Sequence, residues 1–357
     1  MYGMTLEINQ RCNLHCSYCY LKNKNGQRME LDTAKKCVDL AFENARVQKQ
    51  EKIIFDFVGG EALLDFDLLV EIVEYIEQIS KEKNYEVQYG LTTNGTIFND
   101  EIVDWLIDKK FNLKLSIDGD RKVTNLGRGS DTFFDVYEKI QSNWNFVLKY
   151  QKNSGKFAQV TNVITNNNYM FYFESFKHLI DQFQAKVIYT VFDIDSEWKE
   201  EQLANIADQI EQAYLFFKDR LVKYPFYWHF ITEVKNSIKI KKRFYSCGSG
   251  IIYLYVKSDG DFYACANAIQ SKSILGNINN GYNQTKIDLL KNLSGIDNPE
   301  CISCEQYDCC AAKGCIYKSL SENGSIHKPS RILCWQQKFY AEFYHKHKEF
   351  IDCLYIE

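Results

Sequence analysis

The sequence predicts an α/β protein whose parallel sheet is followed by a small cysteine-rich domain. From Met4 to about Phe192, short apolar runs alternate with amphipathic stretches of helical length. This alternation is typical of a parallel sheet with helices packed on its face. From Cys247 onward, short strands and cysteine-bearing loops replace that pattern. We therefore predict two domains, residues 1–240 and residues 241–357.

Six strand-and-helix units account for the predicted first domain. The strands are apolar runs of five to seven residues at 4–9, 52–58, 87–93, 113–117, 158–164 and 186–192. The helices carry apolar residues along one face. They begin near Asp32, span 61–79, 100–110 and about 132–149, lie between the last two strands, and occupy parts of 198–240. Ligands of such sheets bind at the carboxyl ends of the strands, so functional residues are expected there.

The composition excludes several classes of partner. The 357 residues carry a net charge of −4, which gives a nucleic acid or an anionic membrane little electrostatic attraction. No window approaches the about 20 apolar residues of a membrane span, and the N-terminus lacks the features of a signal peptide. A cytoplasmic chain is expected, and its thiols stay reduced. The thirteen cysteines are therefore predicted to be metal ligands or reactive thiols, not disulfides.

The first cysteine group directly follows the first predicted strand. Cys12, Cys16 and Cys19 form a C-x3-C-x2-C pattern on one loop. Three thiolates can hold three corners of a cubane [4Fe–4S] cluster and leave its fourth iron open to another ligand. A structural zinc site, the alternative, requires four ligands, and the one further candidate nearby, His15, lies inside the loop.

This loop resembles the signature of the radical S-adenosylmethionine (SAM) superfamily, in which an aromatic residue, here Tyr18, commonly precedes the last cysteine. The resemblance implies a partial (β/α)6 radical SAM barrel. It also implies that SAM chelates the open iron and is cleaved to a 5′-deoxyadenosyl radical after electron transfer from the cluster. An external reductant such as flavodoxin or ferredoxin would supply the electron.

Motifs at the ends of later strands match the SAM contacts of this superfamily. The family's glycine-glycine-glutamate motif corresponds to "GGE" after the second strand, and the other matches are polar residues after strands three and four and an arginine. The cofactor-binding residues implied by the resemblance are Tyr18, Gly59, Gly60, Glu61, Thr93, Asn94, Ser116 and Arg128. Glu61 would lie near the methionyl amine, Ser116 near the ribose or carboxylate, and Arg128 would pair with the SAM carboxylate. Each match alone also fits an ordinary structural role, such as an Asn-Gly turn at Asn94.

The second cysteine group resembles the SPASM extension of radical SAM enzymes, which implies two auxiliary [4Fe–4S] clusters and three clusters in all. The pattern begins with Cys247 and a Gly-x4-Cys segment that ends at Cys265. In that scheme the outer cluster is held by Cys301, Cys304, Cys310 and Cys334, and the inner cluster by Cys247, Cys265 and Cys315. Two zinc sites are the alternative for this group.

Cys309 is an extra thiol beside Cys310, and four residues separate Cys310 from Cys315 where the family pattern has three. Either Cys309 completes the inner cluster or that cluster keeps an open iron. We favour the open iron, because adjacent cysteines seldom reach two clusters. Cys37 and Cys353 are predicted to be packing or surface residues.

Enzymes with this extension mostly modify peptides or proteins. Sulfatase-maturing relatives typically have an aspartate directly after the Gly-x4-Cys cysteine, where this chain has Ala266. The segment "CGSGIIYLYVKSDGDFYAC" instead resembles maturases that form thioether crosslinks in ribosomally made peptides (RiPPs). We therefore predict a radical SAM peptide maturase that installs a thioether or other radical crosslink. The alternatives are an anaerobic sulfatase-maturing enzyme, a peptide epimerase and a non-catalytic iron–sulfur electron carrier.

The predicted partner is a precursor peptide or a protein substrate. Many such maturases begin with a leader-recognition domain, for which the residues before Cys12 leave no room, so a separate leader-recognition protein is one expectation. Direct docking of the leader on the barrel is the other. His229, within the aromatic run "YPFYWHF", is predicted to be a core residue, although that run could line the substrate channel.

Overall fold

A computed structural model describes residues 1–22, 24, 26–130, 134–221 and 224–354. Its strands are β1 (Tyr2–Glu7), β2 (Leu14–Cys16), β3 (Lys52–Val58), β4 (Glu86–Thr93), β5 (Asn112–Ser116), β6 (Arg128–Ser130), β7 (Gln159–Ile164), β8 (Val187–Phe192), β9 (Tyr227–Trp228), β10 (Tyr253–Val256), β11 (Asp261–Tyr263), β12 (Gly276–Asn277) and β13 (Gly281–Tyr282).

The α-helices connect and cover these strands. They are α1 (Leu31–Val47), α2 (Phe66–Lys83), α3 (Asp100–Asp108), α4 (Arg121–Gly127), α5 (Val136–Ser154), α6 (Tyr172–Asp181), α7 (Glu200–Leu221), α8 (His229–Lys239), α9 (Ala266–Gln270), α10 (Gln284–Lys291), α11 (Pro299–Ile302), α12 (Ile316–Asn323) and α13 (Arg331–Cys353). Within the described residues, no helix is both long enough and apolar enough to cross a membrane.

The six predicted parallel strands are confirmed as β1, β3, β4, β5, β7 and β8, which are neighbours in that order in one sheet. Along β3 and β7 alternate residues are buried, as expected where one face of each strand lies under helices. The start of the helix predicted at about 132–149 lies outside the described residues, and α5 itself runs from Val136 to Ser154. The predicted helical stretch after β8 divides into α7 and α8, with the short parallel strand β9 between them.

The sheet continues past residue 240. Strand β10 pairs in parallel with β1, and β11, β12 and β13 follow as an antiparallel extension. The complete order is β13-β12-β11-β10-β1-β3-β4-β5-β7-β8-β9. The predicted boundary near residue 240 therefore separates two kinds of local structure that share one sheet. Periodicity could not reveal this, because the partner of a strand is chosen by tertiary packing.

A second, two-stranded sheet lies at the first cysteine loop. Strand β2 pairs antiparallel with β6, so that His15 is opposite Gly129 and Cys16 is opposite Arg128. The backbone N–H of Ser17 also donates to the carbonyl oxygen of Gly127. This pairing holds the cysteine loop against the segment that carries the predicted SAM-binding arginine.

Candidate active site

The first three cysteines lie on the loop that leaves β1. Each of the three cysteines is half-buried. The thiol of Cys16 is close enough to interact electrostatically with that of Cys12 and with that of Cys19. The backbone fixes the loop: Leu14 N–H donates to Cys12 Sγ at 3.4 Å, and Cys19 N–H donates to the carbonyl oxygen of Cys16 at 3.1 Å. The loop therefore presents its three thiols as one group.

Burial opposes ionisation of these thiols. It raises the pKa of Cys12 to about 11, and it also raises the pKa of Cys16, against which the Arg128 guanidinium acts in the lowering direction. Iron binds the thiolate form, so a bound cluster must provide the positive charge that stabilises it. Half-buried thiols of this kind favour a ligand that brings its own cations.

Gly59 and Gly60 are required by the packing of two loops. A Cβ at Gly60 would lie 2.1 Å from the carbonyl oxygen of Arg11, and one at Gly59 would lie 2.7 Å from that of Asn9. The same loops are joined by backbone bonds from Gly60 N–H to Asn9 and from Glu61 N–H to Arg11. The glycines therefore allow the segment after β3 to lie directly against the cysteine loop.

Glu61 connects the ends of β3 and β4. Its carboxylate accepts from Thr93 Oγ1 at 2.9 Å and from the backbone N–H of Asn94 at 2.7 Å, and burial raises its pKa to about 7. The Asn94 amide in turn donates to Asn13 Oδ1 at 2.9 Å. A carboxylate has about four acceptor positions, so an amine contact remains compatible with these bonds. The contact with SAM stays a prediction.

Arg128 is buried in a bidentate ion pair that the sequence analysis did not anticipate. Its Nε and Nη2 each lie 3.0 Å from an oxygen of Asp118, whose side chain is fully buried. Tyr18 donates its hydroxyl proton to the same carboxylate, and its ring lies 5.5 Å from the guanidinium. The remaining Arg128 donors are those available for the predicted SAM carboxylate contact. Asp118 directly follows the predicted strand at 113–117, which is the signal that could have identified it.

Ser116 ends β5 and is half-buried. It is aligned with Thr161 of β7, which is aligned in turn with Tyr189 of β8. Residues aligned in a parallel sheet point to the same face. The residues before them, Leu115, Val160 and Ile188, are buried on the opposite, helix-covered face. Ser116 therefore belongs to a row of side chains on the uncovered face.

The four cysteines of the predicted outer cluster line one cavity of about 380 Å³. Burial raises the pKa of Cys301, and its thiol interacts electrostatically with the other three, Cys304, Cys310 and Cys334. Lys313 and Lys338 also line the cavity and provide positive charge beside the thiols. The residues that sequence spacing assigned to one cluster are thus brought together by the fold.

The three cysteines of the predicted inner cluster form a separate group. Burial raises the pKa of Cys265 to about 11, and the neighbouring thiols of Cys315 and Cys247 act in the same direction. Cys265 precedes α9 and Cys315 precedes α12. Burial also raises the pKa of Cys315, and backbone N–H groups of those helices that donate to both sulfurs act in the lowering direction. Both cysteines therefore present their sulfurs at helix N-termini, where negative charge is favoured.

The thiol of Cys309 has a hydrogen-bond partner of its own. Its thiol donates to the carbonyl oxygen of Ile238, at the end of α8, at 3.0 Å. All thirteen cysteines are free thiols, and Cys37 is buried in α1 while Cys353 is exposed at the end of α13.

Within the described residues, no three His, Cys, Asp or Glu side chains converge on a single metal-ion position. A cubane cluster binds each thiolate to a different iron, so its cysteines surround a body larger than one ion. Four thiols around a cavity of about 380 Å³ fit such a group. The three-thiol groups fit clusters that have one iron without a cysteine ligand.

The fold and the first cysteine loop define a class of α/β proteins in which a group of three thiols follows the first parallel strand. The sequence model of the radical SAM superfamily matches residues 6–143. An uncharacterised protein of Methanocaldococcus jannaschii is 32% identical over 296 residues, which cover 82% of this chain and 92% of the relative. The chain belongs to the radical SAM superfamily.

Two more distant relatives have named activities. The radical SAM cyclopropyl synthase TigE of Paramaledivibacter caminithermalis is 20% identical over 87% of this chain and 66% of its own length. A cysteine-type anaerobic sulfatase-maturating enzyme of Clostridium perfringens is 23% identical over 85% of each chain.

Solved structures share the fold. The enzyme anSMEcpe with bound AdoMet and the Kp18Cys peptide has a TM-score of 0.80 at 19% identity, with 99% of both chains covered. Streptococcus suis SuiB bound to its precursor peptide SuiA has a TM-score of 0.63 at 17% identity, with 93% of this chain and 75% of SuiB covered. At these identities the likeness establishes the fold alone.

Proposed function

We propose that this protein is a radical SAM maturase that crosslinks a ribosomally made peptide, most simply by forming a thioether. The observation that carries the proposal is the inner group of three cysteines, together with the bond that engages the Cys309 thiol at the Ile238 carbonyl oxygen. Three cysteines leave one iron of a cubane cluster free for another thiolate. A substrate cysteine bound there would be deprotonated, because a metal lowers the pKa of its ligand.

The residues of the first group would hold the SAM-binding cluster through Cys12, Cys16 and Cys19. When bound there, SAM and that cluster would supply radical chemistry for hydrogen-atom removal from the substrate. The chain's own part is to orient the cofactor. In this proposal Glu61 and Arg128 face the methionyl end of SAM. Asn94 holds the end of β4 in place, because its side-chain amide is hydrogen-bonded to Asn13 of the cysteine loop.

The two remaining clusters are assigned by the same proposal. The outer one is held by Cys301, Cys304, Cys310 and Cys334, and the inner one by Cys247, Cys265 and Cys315. An external reductant of the flavodoxin or ferredoxin class supplies electrons. The substrate partner is a precursor peptide, in keeping with the bound peptide of SuiB.

Sulfatase maturation is the second candidate, because a relative with that activity aligns over most of the chain. The position after Cys265, where that reaction's carboxylate base is expected, is Ala266 in this protein. The absence of an acid there favours the crosslinking function over formylglycine formation. A peptide epimerase, a further alternative, would need a hydrogen-atom donor for the substrate radical.

The test is anaerobic reconstitution with iron and sulfide, followed by SAM, dithionite and a set of cysteine-containing peptides. We expect 5′-deoxyadenosine, and a peptide product that has lost two hydrogens and one free thiol. A product in which cysteine has become formylglycine would support the second candidate. Absence of 5′-deoxyadenosine would instead indicate a non-catalytic electron carrier.

Replacing Cys310 by Ala should remove iron from the outer cluster and leave SAM cleavage partly intact. The physical reason is that Cys310 lines the four-cysteine cavity, whereas its neighbour Cys309 bonds to Ile238. Iron and sulfide analysis of the reconstituted protein measures the effect. Cys309→Ala is the matched control and should keep full iron content. Iron loss in Cys309→Ala with none in Cys310→Ala would reverse the assignment.

A further inference from the structure

Lys313 is a buried cation beside the four cysteines that are assigned to the outer cluster. It belongs to a short turn of 3₁₀ helix, Ala312–Gly314, between Cys310 and Cys315, and only 4% of its surface is exposed. It lines the cavity of about 380 Å³ together with the four thiols. Burial raises the pKa of the Cys310 thiol, and both the backbone N–H and the charged side chain of Lys313 act in the lowering direction. The charge of Lys313 therefore acts on this cysteine.

The ammonium group of Lys313 is held in place by Tyr307. It donates to the Tyr307 carbonyl oxygen, and its Nζ lies 4.0 Å from the centroid of the Tyr307 ring. In the described part of the chain no carboxylate forms an ion pair with it, and Asp308, the residue after Tyr307, pairs with Lys241 at 3.3 Å. Charged side chains are rarely buried without an oppositely charged partner, because burial removes their hydration. The position of Lys313 therefore indicates that the cavity is a site for an anion.

The other charged side chains that line this cavity are exposed to solvent. They are Glu200, Glu300, Lys328, Arg331 and Lys338. Water and salt screen exposed charges, whereas a buried charge acts through a medium of lower dielectric constant. Lys313 therefore contributes more to the electrostatic potential at the four thiols than any one of these residues.

We propose that Lys313 is the counter-charge of the outer cluster and raises the reduction potential of that cluster. The proposal rests on the outer-cluster assignment of the proposed function. A [4Fe–4S] cubane held by four thiolates is a dianion when it is oxidised and a trianion after it accepts one electron. The ammonium stabilises the trianion more than the dianion, because the attraction grows with the charge of the cluster. The external reductant supplies that electron, no proton moves, and no covalent bond of Lys313 changes.

A redox titration of the anaerobically reconstituted protein, followed by electron paramagnetic resonance, tests the proposal. The signal of the outer cluster is identified as the one that is absent from Cys310→Ala. Lys313→Met removes the charge and keeps a side chain of similar length. We expect it to lower the midpoint potential of this signal by about 59 mV, which is tenfold in the ratio of reduced to oxidised cluster for one electron. Lys313→Arg keeps the charge and should stay close to wild type.

Lys338→Met is the matched control. Lys338 lines the same cavity and interacts electrostatically with Cys334, but its side chain is exposed. The control should give a smaller shift that vanishes in about 1 M salt, where the Debye length is about 3 Å, whereas the shift of Lys313→Met should persist. Equal shifts in the two variants would overturn the proposal, and so would an unchanged potential in a Lys313→Met protein with full iron content.

Iron content decides the case in which Lys313→Met does not keep the outer cluster. Retention of the cluster by Lys313→Arg would then support a counter-charge, whereas loss from both variants would indicate a packing role and overturn the proposal. A wild-type protein without the signal that depends on Cys310 would refute the outer-cluster assignment and this inference with it. Peptide crosslinking is measured separately, and its absence would overturn the proposed reaction while the potentials still decide the role of Lys313.

Discussion

Replacement of Cys16 by Ala is expected to abolish SAM cleavage. Cys16 is the central thiol of its loop, since it interacts electrostatically with both Cys12 and Cys19. Two remaining thiolates would hold a cubane cluster poorly, and without that cluster no electron reaches SAM. The measurement is 5′-deoxyadenosine formation by the reconstituted protein with dithionite, together with its iron content.

Cys353→Ala is the control for this experiment, because Cys353 is exposed at the end of α13, away from the cysteine groups. It should retain wild-type iron and wild-type cleavage. The four outer cysteines should also keep their iron in Cys16→Ala, so the loss should be confined to one cluster. Undiminished 5′-deoxyadenosine formation by Cys16→Ala would refute the assignment of the first group.

Asp118→Asn is expected to destabilise the protein by about 3–5 kcal/mol, the usual cost of removing one partner of a buried ion pair. The substitution leaves the Arg128 guanidinium buried and still charged, since arginine stays protonated. It also weakens the bonds from Tyr18 and from Val163 N–H, which both donate to the same carboxylate. Urea unfolding of the metal-free chain, followed by circular dichroism, measures the change without a contribution from cluster loss.

The matched control is Asp32→Asn, which removes an exposed ion pair. Asp32 and Lys36 are 2.8 Å apart on the first turns of α1, and the Asp32 side chain is 78% exposed. Exposed pairs of this kind contribute about 0.5 kcal/mol or less. A similar small change in Asp118→Asn would show that the buried pair does not hold the arginine segment against the cysteine loop.

The six parallel strands and the positions of most site residues could be predicted because both depend on local patterns. Apolar runs define the strands, and polar residues placed directly after them must meet at one edge of a parallel sheet. Glu61 and Thr93 are 32 residues apart in sequence but are hydrogen-bonded in the fold, as this rule requires. The grouping of the C-terminal cysteines followed from spacing and resemblance alone.

The remaining features depend on contacts that local patterns do not contain. The sequence shows Asp118 only as the residue after a predicted strand. The contacts of Arg128 and Tyr18 with its carboxylate are formed by the fold. Cys309 differs from Cys310 by one position, and the direction of its thiol is set by α8 packed beside it. The aromatic residues around His229 predict a core position, but its side chain keeps 26% of its exposure and is hydrogen-bonded to Tyr227.

The pairing of β10 with β1 has a consequence for how the protein can be divided. All six residues of β1 are buried, and β10 covers the side of β1 that β3 does not. A chain cut near residue 240 would expose an apolar strand with a free row of backbone donors and acceptors. Other chains can add to such an edge and build aggregates. The cysteine-rich segment therefore also acts as a protective border for the parallel sheet.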